Sequence, residues 1–204
     1  LLELLELKRI KRDGTSPTLL EHVLTQERSI DIPVHLTGGG PGNRNCTATY
    51  KIKVIRKWQR QNGSSKENPA VCGLGISTDE IQRARTHSGF DDQVLEYPLI
   101  DLGLQRKDCV NIIRNAGLPP APRSACWFCP FHKKEEWREL KREYPDLFVK
   151  SVELEKILGD RRENLGKDRV FFTGRNKPLD EVIDDQLVLD FGGPETCDTG
   201  HCFT

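Results

Sequence analysis

Short apolar runs alternate with helix start and stop signals along most of the chain, and that alternation is what most restricts its fold. IDIPVHL (30–36), PAVCGLGIS (69–77) and EYPLIDL (96–102) read as strands. Ser16 and Pro17 supply an N-cap and a proline at the first helical position for a helix through TLLEHVLTQE. From Thr47 to Gln61, Tyr50, Val54, Ile55 and Trp58 fall on one helical face, with Gly63 just past the end. Ser77, Thr78, Asp79 and Glu80 form a capping box ahead of IQRART. Lys107 to Ala116 is a helix stopped by Gly117. Lys133 to Leu158 is one long helical stretch interrupted at Pro145, and residues 159–204 are loop-rich, with a short strand at 171–172. Strands alternating with helices predict an α/β domain with a largely parallel sheet over residues 1–158. Residues 159–204 form an extension that packs back on it. No internal repeat or low-complexity segment interrupts the pattern.

Charge and hydropathy narrow the function classes. The chain of 204 residues carries 31 Lys and Arg against 31 Asp and Glu. Zero net charge argues against a whole-chain electrostatic grip on nucleic acid and leaves room for a local basic patch. No run of 18 apolar residues exists, so no membrane span is expected. LLELLELKRIKRD has the wrong order and composition for a secretion signal, and the chain reads as cytoplasmic. It starts at Leu1 and holds no Met, where average usage gives about four, so it reads as a piece of a longer protein.

Seven cysteines in such a setting point to metal or redox chemistry rather than disulfides. Cys126 and Cys129 in SACWFCPFH have the C-x2-C spacing that presents two thiolates to one metal. Cys46 lies just before a helix, where the helix dipole and Arg44 favour its thiolate. Cys197 and Cys202 form a C-x4-C pair in ETCDTGHC. Cys72, inside an apolar strand, and Cys109, inside a helix, read as small buried hydrophobes. His132 follows the CPF turn, either as a ligand or general acid or as a solvated polar residue.

TGGGPGN (37–43) sits between a strand and a helix, an order that can cradle phosphate on backbone N–H groups. It lacks the G-K-[ST] of a P-loop and equally suits a surface loop. Of the basic residues after it, Lys51 and Lys53 do not share a helical face. Ser77, Asp79 and Glu80 read first as capping residues, with Arg83 and Arg85 facing an anion or water.

In order along the chain stand RNCTATYKI, IRKW, GISTDEIQRAR, YPLIDLGLQRKDC, PPAPRSACWFCPFHKKEEWREL, KPLDEV and CDTGHC. Together, over residues 30–204, they resemble the phosphoadenosine phosphosulfate reductase-like proteins of the adenine nucleotide alpha-hydrolase (PP-loop) superfamily, in a group common in bacteria and mobile elements. The resemblance implies a parallel-sheet α/β domain binding an adenine nucleotide at its strand ends, and an oxidoreductase or nucleotide-activating enzyme of sulfur transfer or reduction. It implies a four-iron cluster, with zinc as the alternative, on Cys46, Cys126, Cys129 and Cys202. Arg44, Lys51 and Arg123 would hold phosphate or sulfate charge. Cys197 is then the reactive thiol that attacks sulfur, although spacing alone does not separate the roles of Cys197 and Cys202.

The chain also departs from that pattern. The S-G-G-x-x-S-like pyrophosphate loop of the first βα unit has no counterpart, the proline after YKI is replaced by Val54, and the C-E-G-x-C tail is stretched. The domain is therefore read as lacking its first βα unit. Two other readings remain: a metal-stabilised binding module for nucleic acid or a protein partner, and a thiol redox protein working through the tail pair alone.

Overall fold

A computed structural model describes residues 4–37, 40–119 and 125–183. The chain forms a mixed α/β structure whose described residues divide into two units, those before residue 55 with 125–183, and residues 55–119.

In the first unit, Thr18 caps α1 (Leu19–Thr25) in a reciprocal capping box with Glu21. The helix thus begins two residues later than Ser16-Pro17 suggests, because the Ser16 hydroxyl donates to the Arg9 carbonyl instead. The run 30–36 yields only a two-residue strand, β1 (His35–Leu36). Pro33 has no N–H to give a ladder, and the Val34 N–H turns back to the Ile32 carbonyl at 2.8 Å. The helix expected from Thr47 begins as α2 (Asn45–Thr47) and continues as a π-helical segment, Ala48–Ile52. Residues 134–164 fold as α6 (Lys134–Glu143) and α7 (Pro145–Asn164), split where Pro145 opens the second helix. Phe148, Ser151, Leu154, Glu155, Leu158 and Gly159 recur at three- and four-residue steps and form the buried stripe of α7. That stripe meets Val23, Ile32, Val34, Phe128, Trp137 and Phe172 in one core.

β4 (Val170–Phe171) pairs antiparallel with β1, His35 opposite Phe171. The Glu155 carboxylate, buried under this pair, accepts from the N–H of Phe172 at 2.5 Å and of Leu179, the first residue of α8 (Leu179–Val182), at 2.7 Å. Arg161 reaches from α7 to donate to the Val23 and Leu24 carbonyls, both at 2.8 Å, at the C-terminal end of α1.

The second unit holds α3 (Lys53–Gln61), most of which falls within it, and a parallel pair, β2 (Ala70–Gly73) and β3 (Gln93–Glu96), in register Val71 to Val94. The run 96–102 is not one strand: β3 ends at Glu96, and Pro98, unable to donate to a ladder, opens α4 (Pro98–Asp101). Ser77 makes no cap bond, its hydroxyl being engaged by Asp79, and the segment it precedes is a 3-10 helix, Thr78–Arg83. α5 (Arg106–Asn115) ends at Gly117, whose φ of +69° suits only glycine without strain. Val71 is 60% and Val94 45% exposed, so one face of this parallel pair is open, where parallel sheets are ordinarily covered on both faces. Ile76 is the one buried apolar side chain among the described residues of this unit. Polar bonds do much of the joining: Asp92 takes Arg56 at 2.7 Å and Arg60 on its carboxylate, and the Ser64 hydroxyl and Ala70 N–H on its carbonyl.

Candidate metal centre

Cys126 and Cys129 lie in a tight turn of the first unit. The Cys129 N–H donates to the Cys126 carbonyl at 3.0 Å, and the His132 N–H donates to the Cys129 carbonyl at 3.0 Å. The His132 Nε2 lies 2.8 Å from the same Cys126 carbonyl, which can only accept, so this nitrogen carries the proton. The other ring nitrogen is 3.6 Å from the Glu136 carboxylate, and the ring packs on Trp137 at 4.8 Å. His132 therefore braces the cysteine turn instead of standing in solvent. Phe128 is buried in the core and Trp127 lies edge-on to it, which anchors the turn between the two thiols.

Cys46 reaches this neighbourhood from the other end of the unit. Its N–H donates to the Asp31 carbonyl at 2.9 Å, and it packs on the core. Burial works to raise the Asp31 carboxyl, but hydrogen bonds from His22, Asn45 and Gln26 outweigh it and hold the group below its usual value. The charged aspartate so fixed orders the start of α2.

Three causes act on the Cys126 thiol and push it up overall. Desolvation is the largest, although the residue as a whole is exposed; the Cys46 sulfur adds to it, and Lys51 opposes it. Cys46, Lys51 and Cys126 thus lie within electrostatic range of one another. The Arg44 guanidinium sits over the Phe131 ring at 5.4 Å, which brings a second cation to the CPF turn. Lys51 belongs to the π-helical segment, a winding that recurs at functional sites.

Of the residues singled out from sequence, Arg44, Cys46, Lys51, Cys126 and Cys129 all belong to this unit. Arg123, Cys197 and Cys202 lie outside the described residues. Among the described residues, no three His, Cys, Asp or Glu side chains converge closely enough to hold one metal ion. Cys72 and Cys109 are half-buried in the second unit, and burial pushes the Cys72 thiol up.

Sequence reasoning missed His35. It donates to the Pro130 carbonyl within the cysteine turn, and burial pushes its imidazole below the ordinary value, with that bond working the other way. No short-range signal marks it, because its partner lies almost a hundred residues on.

An open groove of about 580 Å³, lined by residues of α1 and α7 that include Leu24, Gln26, Ile157 and Arg161, contains none of these side chains. Among the described residues, no helix is long and apolar enough to cross a membrane. No family model, curated protein or solved structure matches the chain.

Proposed function

We propose that the chain holds a cysteine-ligated metal centre beside an anion-binding surface, in a protein of the phosphoadenosine phosphosulfate reductase-like kind. The observation that carries this is the approach of Cys46 to Cys126, far apart in sequence, with Lys51 in range of the same thiol. Packing alone rarely gathers thiols and cations on one side of a core. Cys46, Cys126 and Cys129 are soft donors that suit an iron–sulfur cluster or zinc, and one tail cysteine, Cys202 in the sequence reading, completes four. The three described cysteines match such a centre in donor type but do not converge on one point, so this reading needs them drawn together with a tail cysteine.

When bound, such a centre supplies a Lewis-acidic or sulfur-binding surface. The chain's own residues do the rest. His132 and His35 hold the carbonyls of the turn and so fix where the thiols point. Arg44 and Lys51 offset the charge of thiolates and of a phosphate or sulfate group. An adenine nucleotide or a small sulfur compound is the substrate class, with Arg123 as a third cation and Cys197 as the reacting thiol.

A second reading has its own support. The described parallel sheet has two strands, with one face open. That suits a metal-stabilised binding module better than a wide nucleotide-binding sheet.

Purification without oxygen, followed by metal analysis and absorption spectra, tests both. About four irons per chain with a visible charge-transfer band, both lost in Cys126→Ser and Cys46→Ser, support the first reading, and equilibrium dialysis with ATP then tests the nucleotide. One zinc and no visible band move the assignment to the module. No metal in the unmodified protein refutes both.

A further inference from the structure

The zero net charge conceals a strong segregation. Residues 32–66 hold seven Lys and Arg and no Asp or Glu, leaving 24 basic residues against 31 acidic ones elsewhere. The centre of this stretch is α3. Its buried edge is Gln59 and Arg56, which meet Gln93, Asp92 and the Phe90 ring. From that edge the surface runs through Arg60, Lys53, Lys57 and Gln61, all exposed, and then past the half-buried Val54 to Trp58. Arg56 and Arg60 are neutralised by Asp92. Lys53 and Lys57, one turn apart, have no ion-pair partner among the described residues. Like charges at that spacing repel, and no acidic residue of the segment relieves them. Trp58 lies about 100° further round the helix, on the side of Val54 and Ile55, and keeps 36% of its surface in solvent.

We infer that this arc of α3 binds a nucleic-acid strand, with Lys53 and Lys57 on successive phosphates and the Trp58 indole stacked on a base. Charge complementarity selects a polyanion. The half-exposed aromatic at the far margin of the arc selects one with flat faces, and single strands offer their bases to such a platform. A membrane surface fits less well, because a lipid-facing helix needs its whole apolar edge free, whereas Ile55 and Trp58 are more than half covered. The inference does not depend on the metal centre.

The test is fluorescence anisotropy of a labelled mixed-sequence single-stranded 20-mer, of its duplex, and of vesicles rich in anionic lipid, each over a salt series. For the unmodified protein the expected Kd on the single strand is about 10⁻⁴–10⁻⁶ M at physiological salt. Lys53→Gln with Lys57→Gln lowers the slope of log K against log salt by about 1.4, two phosphate contacts on a single strand. Trp58→Ala weakens binding by roughly 5- to 150-fold with the slope unchanged, the worth of one stacked base. The lysine pair is exposed, so its variant keeps the unfolding midpoint and serves where Trp58→Ala disturbs packing. Three results overturn the inference: no binding to either oligonucleotide, binding unaltered in the lysine variant, or binding to vesicles alone. Polyglutamate competing as well as the oligonucleotide, charge for charge, would also overturn it.

Discussion

Glu155 offers the sharpest test of how the first unit is held together. Its side chain lies in the core at 4% exposure and accepts from two backbone N–H groups, those of Phe172 and Leu179, which are themselves wholly buried. Burial pushes its carboxyl above the usual range, the two N–H groups pull it down, Asp180 adds to the rise and Arg169 opposes it. Replacement by Ala leaves both donors without an acceptor. Each orphaned N–H costs about 1–3 kcal/mol, so the loss is about 2–6 kcal/mol. For a chain of this size that lowers Tm by about 5–20 °C. Glu155→Gln keeps one acceptor and turns an amine toward the other donor, so its loss is about half as large. Because the folded carboxyl titrates above its unfolded value of about 4.3, the folded chain binds the proton more tightly. This group's contribution is therefore fully present at low pH and is lost as pH rises through the folded value. The amide of the Glu155→Gln variant has no proton to exchange in this range, so that part of the pH dependence disappears. Urea unfolding at several pH values measures all three quantities. Losses below about 1 kcal/mol in both variants would refute the assignment of Glu155 as the joint acceptor for β4 and α8.

The site and its support give two further expectations. His35 titrates below 6.5 in the fold, so the unfolded chain binds its proton first, and stability declines as pH falls through 6.5 and levels off below the folded value. His35→Gln flattens that decline, as seen by comparing urea midpoints at neutral and mildly acid pH. In metal-free protein, Cys46→Ser removes a cause that raises the Cys126 thiol, and Lys51→Gln removes one that lowers it. At fixed pH the first speeds alkylation of Cys126 and the second slows it, followed by peptide mass spectrometry with iodoacetamide. Equal rates in both variants would show that the three groups do not interact.

Local features were legible in the chain alone. Gly63 and Gly117, at φ of +93° and +69°, close α3 and α5 where their positions demand, because only glycine enters that region without strain. Pro145 divides α6 from α7 since it lacks an N–H and fits the first turn of a helix. The C-x2-C spacing already implied a turn presenting two thiols. Apolar runs were a poorer guide: 30–36 and 96–102 are equally apolar as strands or as packed loop and helix, and Pro33 and Pro98 decide against long strands through donors they lack.

Which distant segments meet follows only from the packing of the folded chain. His35 faces Phe171 across β1 and β4, Arg161 caps the end of α1, and Cys46 comes within range of Cys126. By sequence His132 read as a ligand or general acid or as a solvated polar residue; the Trp137 ring and the Cys126 carbonyl instead make it a brace of the turn. The reason is one of range. Helix stops and turns follow from sterics and hydrogen bonds within a few residues, whereas the partners of His35, Glu155 and Cys46 follow from how one shared core is buried, a condition set by the whole chain at once.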